Sequence, residues 1–387
     1  MRERCIRISC VPMFSQKAVI VFLPLLFFSA CSREQSTDLT GAEKARLLTQ
    51  FAVTEAPQSP ALLTDDQALR NALVTYGPVA TMQAMRQTAY AQGADCHNRA
   101  HQLGRMGFEE FGTEVFKLSI PECHSGFYHG AIEAFFKKNG TATLKQDLST
   151  ICIDGLNGFF AHQCLHGIGH GLMAWANYDL PGALEFCNLI PQPTGQSSCR
   201  TGAFMENIVG SLDDSAEAKG RGHVTKYLTD DPQYPCSIVK DQYKGDCYFL
   251  QTDRMLALSR TGYKGVAEEC AKAPTLYHIS CFASMGRTIG GQYRGHPKEA
   301  IEQCGFVTDP ANRIHCTLGA AQDTFWDKNG ETLAHEFCAL VPENGGKKEC
   351  YQTIIGRSHE ILSTEDQEAF CSRLPVEHQE ECTKGII

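Results

Sequence analysis

The stretch Cys164–Met173, CLHGIGHGLM, holds the residue types best suited to chemistry. His166 and His170 are four residues apart, so a helix turns both imidazoles to one side. His162 lies one turn earlier on the same face. Related wording recurs along the chain. Cys96 is followed by His97 and His101, and Cys123 by His124 and His129, with Glu133 four residues beyond. Cys199 is followed by Glu206 within Phe204–Asn207 (FMEN). Neutral imidazoles are the commonest transition-metal ligands, and carboxylates often complete the set. His97, His101, His129, His166 and His170 are therefore candidate metal ligands, for copper, zinc or iron. Glu133 and Glu206 are candidate further ligands or catalytic acid/base groups. His124 and His162 read as structural, or as donors that support the ligands.

The histidines are clustered. Seven of the 14 fall between His97 and His170, whereas His223, His278, His296, His315, His335, His359 and His378 share no register and read as surface or turn residues. Several chemistries are excluded by what is missing. There is no H-E-x-x-H of a zinc protease, no C-x-x-C-H for covalent haem and no G-x-S-x-G nucleophile elbow. Gly167, Gly169 and Gly171 are spaced G-x-G-x-G, not as in a dinucleotide loop; they imply close helix approach or backbone near a ligand. Net charge is −9, and residues 1–30 are themselves basic, so the remainder is more acidic still. That balance argues against nucleic acid as a partner.

The cysteines supply the elements that must position these side chains. Of 19, Cys5, Cys10 and Cys31 fall near the N-terminus and 16 remain. Fourteen form pairs 11 or 12 residues apart: Cys152/Cys164, Cys187/Cys199, Cys236/Cys247, Cys270/Cys281, Cys304/Cys316, Cys338/Cys350 and Cys371/Cys382. First members recur at intervals of 35, 49, 34, 34, 34 and 33, the length of a helix–turn–helix repeat, with an insertion at Gly210–Gly222 accounting for the 49. Amphipathic segments such as PKEAIEQC precede the first cysteine, and proline, glycine and asparagine lie between the two. The first cysteine thus ends one helix, the second opens the next, and a disulfide clamps the mouth of the hairpin. Cys96 and Cys123 either bridge adjacent repeats or remain thiols. No C-x-x-C spacing occurs, which argues against zinc ribbons. The expected fold is all-α: a solenoid-like α/α repeat array of about eight hairpins, stapled by intra-repeat disulfides. From Asp65 to Ile387 it resembles tetratricopeptide-like and Sel1-like repeats in period and cysteine placement, without the Trp–Leu-Gly–Tyr pattern. That resemblance implies architecture only. Side-by-side second helices would bring His101, His129, His170 and Glu206 onto one inward-curving surface.

The N-terminus carries Arg2, Arg4, Arg7 and Lys17, then the apolar run Ala18–Phe28, then Ser29-Ala30-Cys31. This order resembles a bacterial lipoprotein signal, which implies lipid attachment at Cys31; the alternative is an ordinary cleaved signal with a coincidental cysteine. The run is about 11 residues, too short to span a bilayer as a helix. The expected organisation is a signal peptide over 1–30, a lipidated tether with a short helix over 31–64, histidine-rich repeats over 65–222 and further helical repeats over 223–387. Function follows as an exported, lipid-anchored envelope protein, outer-membrane-bound and facing the periplasm, with a histidine-rich transition-metal site that includes the option of a metalloenzyme. The alternative is a scaffold that binds another envelope protein along its concave face. If the lipid assignment is right, Cys31→Ser moves the protein from the membrane to the soluble fraction. Wild-type protein that is already soluble, or a variant that stays membrane-bound, contradicts it.

Overall fold

The computed structural model describes residues 44, 48, 55–92, 94, 96–118, 120, 122–123, 125–152, 158–212, 225–326 and 329–384. Cys31, His124, His223 and most of the Gly210–Gly222 insertion lie outside them. The chain divides into Met1–Asp38 and Leu39–Ile387, and the described residues belong to the second unit. Both expected repeat regions fall inside that unit, where Arg200 pairs with Asp246 at 2.5 Å across their boundary.

All regular structure among the described residues is helical. The N-terminal helices are α1 (Ala61–Thr64), α2 (Asp66–Ala91), α3 (His97–Phe111), α4 (Gly126–Asn139), α5 (Leu144–Ile151), α6 (Gly158–Trp175), α7 (Leu180–Cys187) and α8 (Pro193–Leu212). Next come α9 (Asp241–Tyr248), α10 (Thr252–Leu258), α11 (Tyr263–Lys272), α12 (His278–Gln292), α13 (Pro297–Cys304) and α14 (Pro310–Asp323). The last are α15 (Gly330–Leu340), α16 (Lys347–Ile361), α17 (Thr364–Arg373) and α18 (Val376–Thr383). Proline opens several of them, where its missing N–H is harmless; ahead of Pro310, the Asp309 carboxylate also caps α14 by accepting from the Asn312 N–H.

The cysteines are bonded as their spacing predicts. The short-range staples are Cys152–Cys164, Cys187–Cys199, Cys236–Cys247, Cys270–Cys281, Cys304–Cys316, Cys338–Cys350 and Cys371–Cys382. Cys96 is bonded to Cys123, which settles that pair as a bridge. Closing a loop of this size contributes about 3 kcal/mol in the chain-entropy model.

The position of the second cysteine needs correcting, because it does not open its helix. Cys281 and Cys350 lie one turn inside α12 and α16, while Cys164, Cys199 and Cys316 lie two turns inside α6, α8 and α14. The reason is that the helices start earlier than the cysteines suggest, at residues that double as turn formers, such as Pro193 and Pro310. Cys382 departs furthest: α18 is short, and the cysteine sits beside its last residue, Thr383. Cys236 is also displaced. It lies in a run of turns, and Cys247 sits near the end of α9, so this disulfide ties a turn to a helix end. The second helix of that repeat is broken at Phe249–Gln251 into α9 and α10.

Three helix pairs pack backbone against backbone: α3 with α4, α6 with α8, and α12 with α14. A Cβ on Gly169 would sit 1.9 Å from the Cys199 carbonyl oxygen, and one on Gly202 would sit 1.8 Å from that of His166. The same reciprocal contact joins Gly104 to Phe127 and Gly130 to His101, and again Gly286 to Cys316 and Gly319 to Ala283. Gly167 and Gly171 face the other way, against Ile132, His129 and Phe136 of α4. Helix α6 is therefore held between α4 and α8 with glycine on both faces. The array also turns back on itself, since α16 packs against α6.

These contacts make opposite forecasts for two helical glycines. Gly169→Ala forces a methyl into a backbone carbonyl and should cost at least the ~1–3 kcal/mol typical of overpacking. Gly356, inside α16, has open space where its Cβ would be. Gly356→Ala should stabilise the protein by up to ~1 kcal/mol through helix propensity. Denaturant unfolding of the two variants checks both signs.

Candidate metal centre

Helices α3, α4, α6 and α8 converge their polar side chains at one buried place. His97, His101, His129, His166 and His170 are each between 1% and 8% exposed, and Glu206 is 5% exposed. Burying this many polar groups is costly unless each is partnered, so the partners define the chemistry.

Each ring has a fixed orientation. His170 donates its Nδ1–H to Glu206 Oε2 at 2.8 Å, and Tyr178 donates its hydroxyl to Glu206 Oε1 at 2.9 Å. His166 places Nδ1 3.0 Å from Thr201 Oγ1. The Thr201 hydroxyl gives its own proton to the Ser198 carbonyl at 2.7 Å, so the ring nitrogen is the donor. In the neutral tautomers so fixed, both Nε2 atoms carry lone pairs, and they face each other at 3.2 Å. Two lone pairs at that distance repel unless a proton or a cation lies between them.

The pair on α3 repeats the arrangement. His97 donates Nδ1–H to the Cys123 carbonyl at 2.9 Å, and His101 donates Nδ1–H to Glu133 Oε1 at 2.6 Å. Arg105 holds Glu133 Oε2 at 2.8 Å. The Nε2 atoms of His97 and His101 again meet at 3.2 Å. Between the two pairs stands His129. Its ring stacks on His170 with centroids 4.3 Å apart, and its Nδ1 lies 3.3 Å from His101 Nε2. His129 Nε2 is buried with no hydrogen-bond partner among the described residues.

Nitrogens around a four-coordinate ion at bond lengths of ~2.0–2.1 Å are about 3.3 Å apart. The 3.2 Å separations match that edge. Ligand atoms of His97, His101 and His129 all lie within 4.8 Å of one another, as do those of His129, His166 and His170, and those of His101, Glu133 and Glu206. These buried groups could hold a metal ion. The carboxylate–histidine contacts have the form that orients metal-binding imidazoles and raises their basicity.

Burial keeps two of the rings in their ligand form. Burial pushes the pKa values of His129 and His166 well below the usual imidazole range. Burial alone would raise Glu133, but its interactions with His101 and Arg105 outweigh it and hold the carboxyl low. Glu206 is lowered too, the bond from His170 overcoming the effect of burial.

All seven residues singled out in the sequence thus meet, though in a different register from the one their cysteine spacing suggests. By the glycine contacts, His101 is equivalent to His166, and Arg105 to His170. Sequence reasoning missed Thr201, Tyr178, the Cys123 carbonyl and Arg105; only Arg105, four residues after His101, left a spacing signal. Arg287 and Arg294, outside this centre, are paired with Asp253 at 2.7 Å and Asp323 at 2.5 Å. His378, read as a surface or turn residue, is buried against Tyr351. Compared with known proteins, the chain matches no family, no curated protein and no solved structure. The likeness to tetratricopeptide-like repeats therefore rests on period and cysteine placement alone.

His162 supports the centre from outside it. It donates Nδ1–H to Ser198 Oγ at 2.7 Å, that hydroxyl being committed to the Thr194 carbonyl. Burial pushes its pKa down to about 4, with Arg357 adding to the effect. Its folded pKa lies below the unfolded value near 6.5, so the unfolded state binds the proton more readily between those limits. The stability His162 contributes is complete above about pH 6.5 and is lost as pH falls towards 4. Chelator-treated protein should lose stability across that window, and His162→Gln should make the loss shallower. An unchanged slope in urea titrations at pH 7, 6, 5 and 4 contradicts the assignment.

Proposed function

We propose that this protein is an exported, lipid-anchored cell-envelope protein that holds a transition metal with buried histidines of its N-terminal repeats. The observation that carries the reading is the His166–His170 pair. Glu206 and Thr201 take the Nδ1 protons and leave two Nε2 lone pairs confronting each other at 3.2 Å. A cation bound there relieves the repulsion and uses the ring geometry as it stands. The His97–His101 pair points to the same place, as does His129 Nε2, which has no hydrogen-bond partner among the described residues.

A donor set dominated by imidazole favours copper or zinc over iron on intrinsic affinity, while supply decides in the cell. Glu133 and Glu206 are each engaged by an imidazole, so their part is to orient and polarise the ligands. Burial of the centre suits holding a metal, or exchanging an electron with it, better than hydrolysis of a bulky substrate. It also removes these histidines from any groove surface, which weakens the scaffold alternative in the form that used them as contacts.

Protein purified from its native host without chelator or nickel resin should carry copper, zinc or iron by elemental analysis. His129→Ala should lose most of that metal with the circular dichroism spectrum retained, whereas His335→Ala and His359→Ala should keep it. Native protein without metal, or equal small losses from every histidine variant, contradicts the proposal.

A further inference from the structure

Resting on that reading, we infer that the centre takes two divalent transition-metal ions, one at each histidine pair, with His129 as a ligand common to both. The donor set is duplicated. Helix α3 offers His97 and His101, and α6 offers His166 and His170, each pair at i and i+4 with Nε2 atoms 3.2 Å apart. In each pair one ring is held by a carboxylate, His101 by Glu133 and His170 by Glu206. The other ring is held by a neutral oxygen, the Cys123 carbonyl for His97 and the Thr201 hydroxyl for His166. The carboxylates are duplicated in turn, each with its outer oxygen held by a donor, Arg105 or Tyr178. Two complete half-sites with separate supports are more than one ion requires.

His129 belongs to both halves. It completes a trio with His97 and His101 and a second with His166 and His170. Its Nδ1 is directed at His101 Nε2, while its Nε2 is buried without a hydrogen-bond partner among the described residues. An imidazole that gives each nitrogen to a different ion leaves neither unsatisfied. Both nitrogens then bond through lone pairs, so His129 releases its one remaining N–H proton to solvent as the second ion binds. Bridging imidazolate couples the electron spins of the two ions.

The experiment is titration of the chelator-stripped full protein with Cu(II), read by elemental analysis after gel filtration and by electron paramagnetic resonance. The expected result is two ions per chain, with a resonance intensity well below two independent spins. His170→Gln keeps a donor for Glu206 and should retain one ion, with the signal of one uncoupled spin. His101→Gln should do the same at the other half. One ion per chain in the wild type, emptied by either substitution, overturns the two-ion assignment but leaves the proposed metal site standing. Two ions with full two-spin intensity overturn the shared role of His129. No tight uptake by folded wild-type protein overturns both readings.

Discussion

The approach of α6 to α8 governs everything built around it. Two helices bearing any Cβ at Gly169 and Gly202 would be forced apart, because those positions face the carbonyls of Cys199 and His166. At the glycine spacing, Thr201 and Glu206 on α8 come within hydrogen-bonding reach of His166 and His170 on α6. A shift of about 1 Å would undo both bonds, since hydrogen bonds weaken steeply with distance and angle. The glycines cost helix propensity, and the Cys187–Cys199 staple together with burial of Phe204, Leu184 and Ile168 offsets that cost. The scaffold and the centre are thus one problem in packing.

From this constraint follows an unusual electrostatic arrangement. Two pairs of imidazoles are buried beside two carboxylates, and no aliphatic spacer separates the rings. Hydrogen bonds at Nδ1 fix the tautomers, so the repulsive contacts at Nε2 cannot be relieved by turning a ring over without breaking a buried bond. Each such break leaves an unpartnered polar atom and costs roughly 1–3 kcal/mol. Strain of this kind persists where something binds and removes it. The C-terminal repeats make the contrast. Helices α12 and α14 share the same glycine contact, yet Ala283 stands where His101 and His166 do, and nearby Arg287 and Arg294 pair with Asp253 and Asp323. The same helical frame carries a candidate ligand set at one end and Arg–Asp ion pairs at the other.

The helical class and the disulfides were legible because cysteine spacing is a one-dimensional signal. A fixed 11- or 12-residue interval survives any change in how the repeats stack. It does not mark where a helix begins, which is why Cys281 and Cys350 lie a turn inside theirs and Cys382 lies at the far end of its own. The histidines were legible as a set for a similar reason, each following its cysteine by a short, repeated distance. Their register was not, because it is set by which glycine meets which carbonyl, and that information is distributed over two helices. The oxygens that hold His166 and His97 come from Thr201 and the Cys123 backbone, and Tyr178 acts through Glu206; none of the three differs in sequence from an ordinary packing residue. The return of α16 onto α6 was also invisible, since nothing in a 34-residue period marks a contact between repeats that distant.

X-ray absorption at the metal edge of protein isolated from its native host addresses the central claim most directly. If histidine nitrogens hold the ion, the nearest shell is nitrogen or oxygen at about 2.0–2.1 Å, with outer-shell scattering from imidazole carbons and no sulfur. A shell at about 2.3 Å from cysteine sulfur, or a light-atom shell without the imidazole pattern, would contradict the account.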